Sequence, residues 1–414
     1  MIYKCGIRFL KHNKMKHLLI LLAISVFTFS CTKTEVETER SSSKTDGLSE
    51  YSSGLRDASG SSGGSGSSNG EGGEPVQSGQ ITAGEWNDLA NWDFWNNLGQ
   101  DDAYFDMPVY WSYDLSNRIS VKLQNPESEN LVDITLELLN ESEEVIWTAK
   151  TDNFGTAELF PRLNQSVEIP LENLKIRIDN TIFSDIHFFP QGVNELIFDK
   201  NQSLTKKTDI AFVVDATGSM GDELEYLKVE LIDVIGRVKT ANPEASINLG
   251  SVFYRDTDDE FITRISNFSQ DINQTVDFIK NQSANGGGDF PEAVHTALKK
   301  AINDLQWSTA ATSRIIFLVL DAPPHYEPQI VTEIHYQISL AASKGIKVIP
   351  VTASGIDKET EFLMRYMSIA TNGTYVFITN DSGIGNEHLE PTVGEYEVEL
   401  LNDLIERLIN KYLE

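Results

Sequence analysis

Three short apolar runs constrain this chain more than any other feature: residues 210–214 (IAFVV), 315–320 (IIFLVL) and 346–351 (IKVIPV). Nearly unbroken apolar runs of this length suit strands covered on both faces. Between them the period becomes helical. Leu224, Leu227, Leu231, Ile235 and Val238 fall on one helical stripe, and helices are expected over 272–279, 292–305, 330–342 and 359–370. Further strands are expected over 245–254, 261–265 and 374–378. The alternation predicts an α/β, doubly wound, mostly parallel sheet with helices on both faces. Ligands of such sheets sit beyond the carboxyl ends of the strands.

Those ends carry oxygen. Asp215 closes the first run and is followed by Thr217 and Ser219, a carboxylate and two hydroxyls at alternate positions. That set suits a hard divalent cation and offers nothing to a soft one. Asp256 ends a YRD strand, Asp289 lies in GGGDFPEA before a helix, and Asp321 opens DAPPH, which includes His325. Four carboxylates converging on one sheet edge repel one another, and a bound cation relieves that repulsion. The expected metal residues are therefore Asp215, Thr217, Ser219, Asp256, Asp289 and Asp321, with His325 orienting a ligand.

DATGSM resembles the metal-ion-dependent adhesion motif (MIDAS) of von Willebrand factor type A domains, and the likeness covers residues 208–380. YRD, GGGDFPEA and DAPPH are similar to one bacterial and eukaryotic subgroup of that family. The resemblance implies bound Mg2+, with Ca2+ or Mn2+ as alternatives. It implies direct ligation by Thr217 and Ser219, and ligation by Asp215 and Asp321 directly or through water. Thr217 stands where many members have serine, and Asp289 is the nearest replacement for the family's second-loop threonine. An open coordination position, completed by an acidic side chain of a protein partner, is implied as well.

An enzyme is not expected. Ser219, His325 and Asp321 superficially suggest a nucleophilic triad, but Ser219 is not in a GxSxG elbow. Phosphate-binding loop, HExxH and dinucleotide fingerprint are all missing from the sequence. Two alternatives to adhesion stay open: a structural assembly component whose metal only stabilises its loops, and a metal-dependent hydrolase.

Residues 18–29 are apolar and follow Lys11, Lys14 and Lys16, which is short for a membrane span and right for a signal-peptide core. Met15 opens a conventional short basic region. Residues 1–31 resemble a bacterial lipoprotein signal, cleaved before Cys31 and lipidated there. Residues 32–79, first acidic and then Gly/Ser-rich, are expected to be a flexible tether. The expected setting is a membrane-anchored cell-envelope protein, on the outer membrane of a Gram-negative bacterium and exposed at its surface. A net charge of -29 argues against a nucleic-acid partner. With Cys5 and Cys31 the only cysteines, there is no disulfide framework and no zinc cluster.

Residues 80–116 crowd Trp86, Trp92, Trp95, Tyr104 and Trp111 among Asn, Asp and Gly. They read as a cap on the domain interface, with an aromatic binding surface as the alternative. Over 117–201 the period is two, as in Ile119, Val121 and Leu123, which predicts a small antiparallel β-sandwich. TAKTDNFGTAELFP within it resembles the regulatory-like sandwich modules of secreted bacterial proteins. Residues 381–414 read as a polar loop followed by an amphipathic helix that packs on the α/β domain or back on the sandwich, with a dimer or partner helix as the alternative.

Overall fold

The computed structural model describes residues 76–101, 103–163, 169–204 and 206–414. The signal segment, Cys31 and nearly all of the tether lie outside the described residues. No helix among the described residues is long and apolar enough to cross a membrane.

The described residues open with β1 (Thr82–Trp86), then short helices α1 (Trp92–Asn97) and α2 (Met107–Tyr110). Seven short strands follow: β2 (Ile119–Gln124), β3 (Thr135–Leu139), β4 (Val145–Lys150), β5 (Thr156–Leu159), β6 (Lys175–Ile178), β7 (Thr181–Phe183) and β8 (Asn194–Ile197). The α/β part comprises β9 (Lys207–Asp215), α3 (Leu224–Ala241), β10 (Ser246–Tyr254), β11 (Thr263–Ser269), α4 (Ile272–Lys280), α5 (Val294–Lys299), β12 (Ser313–Leu320), α6 (Pro328–Lys344), β13 (Ile346–Thr352), α7 (Lys358–Ala370) and β14 (Tyr375–Ile378). β15 (Val398–Leu400) and α8 (Leu401–Leu413) end the chain.

Eight strands form one mixed sheet in the order β11-β10-β9-β12-β13-β14-β1-β15. β10, β9, β12, β13 and β14 run parallel, while β11 and β1 pair antiparallel with their neighbours. Alternation along β9 divides the core. Ile210, Phe212 and Val214 face α3, α4 and α8, whereas Ala211 and Val213 face α5, α6 and α7. Burial on both faces is why the run is apolar without a break.

β1 changes the reading of residues 80–116. Its Ala83–Trp86 stretch pairs with β14 and its Thr82–Gly84 stretch with β15, so part of the expected cap is an interior strand of the sheet. Glu230 on α3 fixes its entry by accepting hydrogen bonds from the N–H groups of Gly79, Gln80 and Ile81. Most of the aromatic rings that follow are inward-facing: Trp92, Trp95, Tyr104 and Trp111 are buried, and Trp95 stacks on Phe362 of α7, while Phe105 is exposed.

The seven short strands make two small sheets, β5-β2-β8 and β4-β3-β6-β7. The expected all-antiparallel pairing is corrected by β8, which joins β2 in parallel. A two-residue hairpin cannot make such a pair, and the long connection between β2 and β8 does. Asp133 meets Arg314 at 2.8 Å and Asp152 meets Lys347 at 3.1 Å, which docks this module at the amino ends of β12 and β13.

Candidate metal centre at the strand ends

Asp215 is the last residue of β9, and the chain turns at once. Its Oδ1 accepts from the Thr217 N–H at 2.8 Å and from Thr217 Oγ1 at 2.7 Å. Thr217 Oγ1 lies 3.1 Å from Ser219 Oγ. The alternate spacing of the sequence thus becomes two hydroxyls side by side next to one carboxylate. The turn packs on the glycine loop: Gly218 N–H donates to Gly286 O, and Asn285 N–H to Ala216 O. A Cβ on Gly218 would come within 2.8 Å of Gly286 O, so the close approach requires glycine there.

Asp321 directly follows β12, the strand beside β9, and is buried. Arg255, next to Asp256, donates to Ala216 O and Ser283 O and holds the neighbouring loops together. His325 Nε2 meets Asp256 Oδ1 at 2.6 Å. The suggested Ser219–His325–Asp321 triad therefore gives way to a His325–Asp256 pair.

Asp289 is exposed. Glu292, three positions on, is only 2% exposed and was not singled out in the sequence. The signal was present in GGGDFPEA, but a residue opening a helix reads first as a first-turn acid. Asp259 was also missed. Its Oδ2 accepts from the N–H groups of Asp256 and Gly287 and so ties the β10 loop to the glycine loop.

Three buried carboxylate oxygens here have no hydrogen bond of good geometry among the described residues: Asp215 Oδ2, Asp321 Oδ1 and Glu292 Oε2; Tyr254 lies close enough to Asp215, and Ser219 to Asp321, to lower the proton affinity of each acid slightly. Burial raises the proton affinity of all three acids. Asp215 is pushed up by burial, against its Thr217 hydrogen bonds. Asp321 is pushed up by burial and then by the charge of Asp215. Glu292 is pushed up to about 9 by burial and then by Asp215, Asp256 and Asp321. Such acids accept either protons or a cation.

The donors, carboxylates with two hydroxyls, are all hard oxygens, and they fit a divalent ion of the magnesium or calcium kind. The hydroxyls are needed for that fit. Among the described residues, no group of three or more His, Cys, Asp or Glu side chains is placed to hold a metal by itself.

A mostly parallel sheet core with oxygen-bearing side chains gathered at its carboxyl ends defines the class as an α/β module. Residues 209–384 match the family model described as von Willebrand factor A domain, so the chain carries such a domain, which implies a module of protein interaction or adhesion. Over 119 residues the chain is 37% identical to a putative ariadne-like RING finger protein, R811, of Acanthamoeba polyphaga mimivirus. That match covers 29% of this chain and 11% of the relative. Over 120 residues it is 32% identical to the alpha-protein kinase vwkA of Dictyostelium discoideum, covering 28% of this chain and 19% of the kinase. The chain thus spans less than a fifth of the length of either relative. A crystal structure of the conserved hypothetical protein BatB from Bacteroides thetaiotaomicron is similar at TM-score 0.35 and 15% identity, covering 50% of this chain and 98% of that one.

Proposed function

We propose that the von Willebrand factor A domain of this protein binds a protein partner through a divalent cation, and that the protein is a cell-envelope lipoprotein anchored at Cys31. The single observation behind the binding reading is the group of buried oxygens on Asp215 and Asp321, without a hydrogen bond of good geometry, beside the paired hydroxyls of Thr217 and Ser219. Buried acids so poorly paired are costly, and a cation held there offsets that cost. The anchor reading is supported by the apolar stretch 18–29 running into Cys31.

In this reading Thr217 and Ser219 hold Mg2+ through their hydroxyls, with Asp215 and Asp321 completing the protein's share. The ion supplies a Lewis-acidic position for an oxygen of the partner. The Thr217 hydrogen bonds to Asp215 keep that carboxylate oriented. Arg255 and Asp259 hold the three loops in register around it. The β-sandwich, docked at the far edge of the sheet, serves as a stalk.

The test is affinity capture from a bacterial envelope extract on the immobilised protein, with magnesium and with chelator, beside an Asp215→Ala variant. A partner retained with magnesium, released by chelator and missing from the variant is the expected result. The same bound proteins in all arms would contradict the reading.

A further inference from the structure

We propose that a groove between Tyr326 and the first turns of α6 receives an arginine side chain of a protein partner. This does not depend on the cation-site reading above, although the groove adjoins that site. Tyr326 directly follows His325, whose ring meets Asp256 at 2.6 Å.

The groove holds about 240 Å³, small for a small-molecule site and suited to one side chain. One wall is a pair of stacked rings, Tyr110 and Tyr326, with centroids 4.0 Å apart and planes nearly parallel. Tyr326 O–H donates to Tyr110 O at 2.8 Å, and Trp111 meets Tyr326 edge-on, so the pair is held in place. Tyr326 is nonetheless 49% exposed, a large aromatic surface left to solvent. Pro328, Val331, Thr332 and His335 of α6 line the other side.

The charged and hydrogen-bonding groups around the groove favour a cation. Lys and Arg are missing from its lining. Trp111 Nε1 donates to Glu359 O at 3.0 Å, which brings the start of α7 beside the tyrosines. The Tyr110 phenol is pushed up by burial and then by the charges of Glu359 and Asp357, so both acids face it. Burial and then the neighbouring Asp357 push Glu359 up as well. Lys358, between the two acids in sequence, turns away to Glu361, Glu390 O and Thr392. Glu327, at the N-cap of α6, offsets the positive end of that helix. His335 is 5% exposed, and its Nε2 lies 2.8 Å from Trp111 O, so Nε2 donates. Burial pushes the ring down to about 4 and keeps it neutral. Its Nδ1 is then an acceptor, and it has no hydrogen-bond partner among the described residues. Aromatic faces, acids and a waiting acceptor together select a cation. A planar guanidinium both stacks on tyrosine and donates in a fork, which an ammonium cannot do.

The experiment follows fluorescence anisotropy of the fluorescein-labelled peptide Gly-Ser-Arg-Gly-Ser-Arg-Gly-Ser titrated with full-length protein, in magnesium and in chelator. The same peptide with citrulline for arginine is the neutral control of equal shape. Tyr326→Ser removes the stacked wall and Thr332→Trp fills the groove, both at unchanged net charge. Glu359→Gln removes a charge at the groove, and Glu195→Gln removes one from β8. The expected result is binding of the arginine peptide alone, equal in magnesium and chelator. Its affinity is expected to fall about fivefold or more in Tyr326→Ser, Thr332→Trp and Glu359→Gln and to stay unchanged in Glu195→Gln. Thermal unfolding establishes that each variant is folded. Should Tyr326→Ser not fold, Thr332→Trp, at an exposed helix position, decides in its place. Equal affinity for all variants marks unspecific attraction to an acidic surface and overturns the groove. So does equal binding of the citrulline peptide, or no binding by the parent. Binding lost in chelator also overturns the groove as an independent contact and leaves the cation-site reading standing.

Discussion

Asp88 and Arg365, 277 positions apart, form a two-pronged ion pair in which neither side chain is exposed. Arg365 Nη2 donates to Oδ1 at 2.6 Å and Nε to Oδ2 at 2.9 Å. Trp86 Nε1 donates to the same Oδ1, and Glu361 meets Arg365 from the other side. The pair clamps the segment after β1 onto α7. Removing Asp88 strips the buried Arg365 guanidinium of its two-pronged partner and leaves it, among carboxylates, only the longer contact to Glu361, so Asp88→Ala is predicted to cost about 3 kcal/mol. Urea unfolding of the variant beside the parent measures it, and a loss under 1 kcal/mol would show that the clamp is dispensable.

The position of β1 makes a prediction about dissection. A fragment beginning at Thr208 lacks the strand between β14 and β15, which leaves β14 as an open edge and β15 without its pairing. Open edges promote aggregation. Such a fragment is expected to be insoluble or poorly folded, and one beginning at Val76 soluble with a cooperative thermal transition. Comparison of soluble yield and circular dichroism decides it. A well-folded fragment from Thr208 would show that β1 is an accessory strand.

The acids at the strand ends set a pH dependence. Glu292 has its folded value raised to about 9, far above an ordinary glutamate, and Asp215 and Asp321 are raised as well. A raised value means that the folded state holds protons the unfolded chain has released. The stability they contribute is complete below the ordinary carboxylate range and is lost as pH rises through the folded values. In chelator, the melting temperature is predicted to fall between about pH 5 and pH 9, and the fall above pH 7 to be smaller in Glu292→Gln. Saturating magnesium is predicted to restore the high-pH values. Melting curves across that range, with and without magnesium, check all three statements.

Gly286 lies at φ +79°, and a Cβ there would collide with the Asp259 carboxylate. Asp259 links the β10 loop to the glycine loop, so Gly286→Ala must strain the backbone and displace that link together. The predicted cost is about 1–3 kcal/mol, with weakened cation binding as a second consequence. Gly288 has open space around its Cβ position, and Gly288→Ala is the matched control. Equal melting temperatures for the two variants would refute the prediction.

The α/β core was legible because burial on both faces writes itself into runs such as 210–214, which need no partner to be recognised. The Asp215, Thr217 and Ser219 cluster was legible because its spacing is local. What escaped depends on contacts distant in sequence. Thr82–Trp86, TAGEW, carries little strand signal, and it is a strand because β14 and β15, both far along the chain, flank it. The parallel pairing of β8 with β2 is equally non-local. Asp289 and Glu292 look interchangeable in GGGDFPEA, and only the Glu292–Pro323 hydrogen bond decides which one turns inward.

The claim on which the rest depends is that the oxygens of Asp215, Thr217, Ser219 and Asp321 hold a divalent cation. Equilibrium dialysis of chelator-stripped full-length protein against magnesium, with bound metal counted by atomic absorption, tests it most directly. The account predicts saturation near one ion per chain, abolished in the Asp215→Ala, Ser219→Ala double variant. No retained ion in a well-folded parent, or equal retention by the double variant, would contradict it.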